Sequence, residues 1–169
     1  MAARSAREKS ANSMLHTNHL FDIDGLAFHR AAAVALTGRV LLVDHRRDVR
    51  ITISLFLSSL GLQVTTADDG RDALETAILA DNVGYGFHLI LMNIAMPGID
   101  GLEATVLFRH AEYDGQIIAI SEGSGEDVRE QCIDAGCDEV LSTPQDADRF
   151  YQALERHLHI AAAYEARAA

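Results

Sequence analysis

From Arg39 onward, short apolar runs alternate with amphipathic stretches of helical period, and this alternation constrains the fold more than any other feature of the chain. Val40, Leu41, Leu42 and Val43 form an unbroken apolar run ending at Asp44, as suits a strand covered by helices on both faces of a parallel sheet. Val49, Ile53, Phe56, Leu57 and Leu60 then recur at three- and four-residue steps, and Gly61 supplies a helix stop. The same reading predicts a second strand at 63–67, a helix at 72–80, a third strand at 87–92, a helix at about 101–111, a fourth strand at 117–120, a helix at about 126–135 closed by Gly136, and a fifth strand at 139–141. Beyond Pro144 a last amphipathic helix carries Phe150, Leu154 and Leu158. Five βα units with right-handed crossovers define an α/β, doubly wound, five-stranded parallel sheet.

The repeat fills 39–160 and leaves an amino-terminal extension, 1–38, and a short tail, 161–169, that can prolong the last helix. Apolar residues make up 49% of the 169, enough for one well-buried domain. The 14 Lys and Arg face 25 Asp and Glu, a formal charge of -11 that repels phosphate backbones and anionic lipid, so neither nucleic acid nor membrane is expected as a partner. The apolar stretch 31–36 is too short to span a bilayer, and the chain reads as soluble and cytoplasmic. Arg4, Arg7 and Lys9 are too few, and interrupted by Glu8, to read as a presequence. Cys132 and Cys137 suit a reduced protein rather than a disulfide scaffold or a zinc site. His16 and His19 lack a visible third ligand, and Asp22 and Asp24 are too few for a calcium loop.

In a doubly wound sheet the site lies beyond the carboxyl ends of the strands, where strand order reverses. The residues there are Asp44 and His45 after the first strand, Asn93 after the third, Ser121 after the fourth and Thr143 after the fifth.

Three stretches carry a resemblance to a known family: Gly38 to Asp44, Leu89 to Ala104 with its Met92-Asn93-Ile94-Ala95-Met96-Pro97-Gly98 core, and Ala135-Gly136-Cys137-Asp138. From about Arg39 to His159 the chain resembles the receiver domain of two-component response regulators, especially receivers of hybrid histidine kinases, with their flavodoxin-like (βα)5 fold. The resemblance implies a signalling module rather than an enzyme. It places a phosphoacceptor aspartate at the position of Asn93, and an amide cannot replace that nucleophile because its oxygen carries no full charge and its nitrogen lone pair is delocalised. It places a second acidic residue at His45, so of three acidic positions that would hold Mg²⁺ only Asp44 is left, and Mg²⁺ binding is expected to be weak or absent. The family's lysine position holds Thr143, its switch aromatic position holds Val140, and Ser121 keeps the hydroxyl.

These departures agree with one another, and together they describe a pseudo-receiver: a degenerate pocket at Asp44, His45 and Asn93, with output through phosphorylation-independent protein contact. The expected partner is a histidine kinase or another signalling protein, or a second copy, through the face made by helix 4, strand 5 and helix 5. Two other functions fit the same residues. One is a phosphorelay receiver with an unconventional acceptor at His45, Asp44 or Asp100; the other is a small-ligand sensor built on the depleted pocket. Within the pocket, Asp44 is expected to hydrogen-bond Asn93 or His45, and Ser121 to bond nearby backbone. Ile94 hinders deamidation of Asn93.

Overall fold

Three strands that are apolar and buried on both faces, Arg39–Val43, Leu89–Asn93 and Gln116–Ser121, call for the centre of a parallel sheet with helices above and below. The computed structural model shows this arrangement and describes residues 36–123, 125–142 and 147–168, with no side chains described for 147 or 160–168. The strands are β1 (Arg39–Val43), β2 (Gln63–Ala67), β3 (Leu89–Asn93), β4 (Gln116–Ser121) and β5 (Glu139–Ser142). The helices are α1 (Arg47–Ser59), α2 (Gly70–Asn82), α3 (Gly101–His110), α4 (Glu126–Ala135) and α5 (Ala147–Ala168). All neighbouring strands are parallel, in the order β2-β1-β3-β4-β5.

Side chains alternate across a strand, and here the alternation sorts the core into two layers. Val40 and Leu42 join Leu91, Ile118 and Ile120 against Ile53, Phe56 and Leu57 of α1 and Phe150, Leu154 and Leu158 of α5. Leu41 and Val43 join Ile90, Met92 and Ile117 against Ala73 and Ala77 of α2, Ala104 and Phe108 of α3 and Cys132 of α4.

Local chemistry sets the helix ends. Asp69 caps α2 by accepting from the Asp72 N–H at 2.8 Å, so the helix opens at Gly70, two residues before the periodicity predicts. Asp100 caps α3 in the same way through the Glu103 N–H at 2.8 Å. Gly136 ends α4 at φ 106°, a left-handed conformation that glycine adopts without a Cβ penalty. The third strand starts at Leu89 rather than Phe87, which packs below the ladder. Leu36, read from the sequence as part of the extension, is buried in the α1–α5 layer, with its N–H donating to Leu60 O at 2.8 Å. The remaining expectations for 1–35, and those for Thr143, lie outside the described residues.

Candidate functional site at the strand ends

From β1 the chain crosses to β2 on one side of the sheet, and from β3 it crosses to β4 on the other. The reversal opens a cleft between the carboxyl ends of β1 and β3. Asn93 is the last residue of β3, and Asp44 follows β1 with its N–H on Ala67 O at 3.3 Å. Both residues are buried, at 3% and 2% exposure.

The two are bonded directly. Asn93 Nδ2 donates to Asp44 Oδ2 at 2.8 Å, while Asn93 Oδ1 accepts from the Ala95 N–H at 2.9 Å. Asp44 Oδ1 accepts from the Arg46 N–H at 2.8 Å. His45 turns outward, its Nδ1 3.8 Å from Asp44 Oδ1, so of the two partners expected for Asp44 the hydrogen bond goes to Asn93. Ser121 is buried and its Oγ accepts from the Gly123 N–H at 3.1 Å, the local backbone bond expected of a strand-end hydroxyl. Val140 lies half-buried in β5 beside Ala119, packed on the layer beneath α2, α3 and α4. Asp100 has its carboxylate engaged as the α3 cap.

Three residues that the sequence did not mark complete the site. Arg46 Nη1 donates to Glu122 Oε1 at 2.6 Å and its Nε lies 3.5 Å from Asp44 Oδ1. Burial opposes the charge on Arg46, but Asp44 and Glu122 outweigh it and push the guanidinium above its ordinary value. Arg50 Nη1 donates to Asp44 O at 2.5 Å. Each oxygen of Asp44 therefore already meets an N–H donor, and the side-chain groups that reach its carboxylate are the Asn93 amide nitrogen and the Arg46 guanidinium, where a hard divalent ion takes oxygens. Among the described residues no group of three or more His, Cys, Asp or Glu is placed to hold a metal ion.

The Asp44–Asn93 bond supplies a stability prediction. Asn93→Ala leaves Asp44 Oδ2 buried without its donor, an expected cost of about 1–3 kcal/mol. Urea unfolding checks this, and an unchanged midpoint would contradict a structural role for the bond.

Other polar groups serve packing or lie far from the cleft. Cys132 and Cys137 are free and buried, and burial pushes the Cys137 thiol up to about 11, which keeps it protonated and poorly nucleophilic. His157 of α5 is buried between Gln116 and Glu139, both 2.7 Å from its ring nitrogens, and Arg156 grips the same Glu139 carboxylate. Burial would raise the Glu139 carboxyl, but its bonds to Arg156 and His157 prevail and hold it below the usual range. A cavity of about 340 Å³ between α2 and α3, with Phe87, Phe108 and Tyr113 in its wall, opens at the amino ends of the strands, opposite Asp44 and Asn93.

The profile of the response regulator receiver domain matches residues 40–155. The chain belongs to the response regulator receiver family. Among curated proteins, this receiver is 37% identical over 121 residues to transcription factor SKN7 of Chaetomium thermophilum, covering 71% of the chain and 15% of that protein. It is 35% identical over 134 residues to transcription factor prr1 of Schizosaccharomyces pombe, covering 75% and 24%. To the sensor histidine kinase RcsC of Salmonella typhi it is 30% identical over 115 residues, covering 68% and 12%. The receiver thus spans less than a quarter of each relative's length. Among solved structures it superposes on the chemotaxis protein CheY4 of Vibrio cholerae with a TM-score of 0.64 and 25% identity, covering 72% of this chain and 98% of that one. NtrX of Brucella abortus gives a TM-score of 0.68 at 22% identity, covering 79% and 29%, a likeness of fold. Among the described residues no helix is long and apolar enough to cross a membrane.

Proposed function

We propose that this receiver takes no phosphoryl group and acts as a constitutive, non-enzymatic protein-interaction module in two-component signalling. The observation that carries the reading is the amide of Asn93 at the end of β3, closed against Asp44 by a 2.8 Å hydrogen bond. In the family's pattern that position belongs to the acceptor carboxylate. An amide with both ends engaged offers no nucleophile, and a carboxylate with both oxygens engaged offers a divalent cation little. Mg²⁺ binding is accordingly weak or absent. Thr143, at the family's lysine position, supplies no charge to hold phosphoryl oxygens.

Phosphorylation switches add charge to bias a two-state element. Without that charge the balance is set by the sequence itself, and the network at Asp44 favours one arrangement of the loops. The partner is a histidine kinase or another signalling protein in the cytoplasm, a setting consistent with relatives named as a sensor histidine kinase and as transcription factors. The docking face is α4–β5–α5, where Arg156 and His157 of α5 clamp Glu139 of β5. Arg129 and Arg149 line the same surface as Val140 there.

A second reading rests on His45, whose half-exposed imidazole lies beside Asp44 and could accept a phosphoryl group. Amide spectra recorded with Mg²⁺ and beryllofluoride, a phosphoryl mimic that needs an acceptor carboxylate, test the main reading. The expected result is no shift at Asp44, Asn93, Ser121 or Val140. Saturable shifts at those residues would overturn it.

A further inference from the structure

We propose that Arg46 is a built-in cation that takes over the electrostatic role of a metal ion in this site and latches the β1–α1 loop to the β4–α4 loop. This rests on the preceding reading, that the site takes neither metal nor phosphoryl group.

Arg46 is the residue before α1, in an extended conformation (φ -86°, ψ 113°), and its side chain makes no capping bond to the helix. That backbone geometry lets the side chain fold back over the strand ends instead. There its main chain and its guanidinium address the same Asp44 oxygen, at 2.8 Å and 3.5 Å, while Nη1 reaches Glu122 at 2.6 Å. Glu122 directly follows Ser121, the last residue of β4. One side chain therefore joins loops 76 residues apart in sequence. A guanidinium suits this task because its donors are fixed in a planar fork and can serve two carboxylates at once.

Charge bookkeeping points the same way. Asp44 and Glu122 contribute two negative charges, and Arg46 with Arg50, which donates to the Asp44 carbonyl, contributes two positive ones. A divalent cation approaching Asp44 meets a neutralised carboxylate and a guanidinium that must first be expelled. The two arms differ in exposure. Asp44 is 3% exposed at its side chain and Glu122 is 61% exposed, so salt screens the Glu122 arm while the Asp44 arm persists.

The test uses the full chain and Mg²⁺ alone. In the Asn93→Asp background, which restores a carboxylate to the cleft, adding Arg46→Ala is expected to tighten Mg²⁺ binding at least tenfold, read from amide shifts. Equal affinity with and without Arg46 would overturn the cation role. Arg46→Lys, which keeps the charge but not the fork, is expected to leave Mg²⁺ binding weak; if it binds as tightly as the alanine variant, position rather than charge is responsible and the proposal fails. Glu122→Gln leaves Asp44 untouched and is expected to speed amide exchange at Gly123 about fivefold at low salt and little at high salt. Unchanged exchange at low salt would remove the latch. Because no phosphoryl donor is present, failure of these tests leaves the preceding reading standing, and a phosphoryl adduct on the parent chain would end that reading whatever Arg46 does.

Discussion

Phe108→Ala is expected to lower the unfolding free energy by about 3–5 kcal/mol and the melting temperature by roughly 10 °C or more. The ring is 1% exposed and lies edge-on to Tyr113, with centroids 5.6 Å apart and planes at 61°. It holds α3 against the sheet together with Ala104, Ile117 and Cys132. Tyr113 in turn donates to Phe87 O at 3.1 Å, so losing the ring also loosens the segment that leads into β3. Collapse around the void is restricted because one side is the rigid sheet and another is already the cavity between α2 and α3. Urea unfolding at constant pH measures the loss; a change below about 1 kcal/mol would show that this layer repacks freely.

The second large effect belongs to Gly101, the first residue of α3. A Cβ there would collide with the Asn93 carbonyl oxygen and lie 2.7 Å from Ile94 Cα. Both obstacles are backbone and neither can rotate away. Gly101→Ala is therefore expected to cost about 3 kcal/mol, at the upper end for overpacking. It should also displace Asn93 from Asp44, because the loop that must move carries the amide. Gly125→Ala is the control: its φ of -69° suits any residue and nothing lies within 4 Å of the new Cβ, so it should be tolerated within about 0.5 kcal/mol. Denaturation of the pair checks the contrast, and equal stabilities would refute it.

Much of the fold is written in the strands themselves. The alternation of buried runs and three-to-four spacing places the second strand at 63–67 and the fourth helix at 126–135, as found, because those segments end at unambiguous signals such as Gly136. Boundaries shift where a side chain beyond the apolar pattern decides them. Asp69 starts α2 early by capping it, and Phe87 is apolar yet sits outside the ladder. Leu36 belongs to a set of apolar residues in the extension whose irregular period leaves open whether they line a helix or fold over the domain, and only the folded chain shows it buried in the same layer as Leu60, Leu62 and Leu158.

The site divides in the same way. Asp44, Asn93 and Ser121 are legible because topology alone sends strand-end residues to the cleft. Arg46 and Glu122 are not, since an arginine and a glutamate in separate loops read as solvated charges until the fold sets them 2.6 Å apart. Arg109 is another such residue. It donates to the carbonyls of Gly136, Tyr113 and Gly115 and to Asp138, tying the end of α3 to the entries of β4 and β5. Its sequence context, the last turn of a helix, suggests only a favourable helix-dipole charge.

Whether the pocket of Asp44 and Asn93 takes a phosphoryl group is decided by the intact mass of the purified chain before and after incubation with acetyl phosphate and Mg²⁺. The mass of the parent chain is expected to stay unchanged. A gain of one phosphoryl group on that chain would contradict the proposed function, and mapping the adduct to His45, Asp44 or Asp100 would name the acceptor.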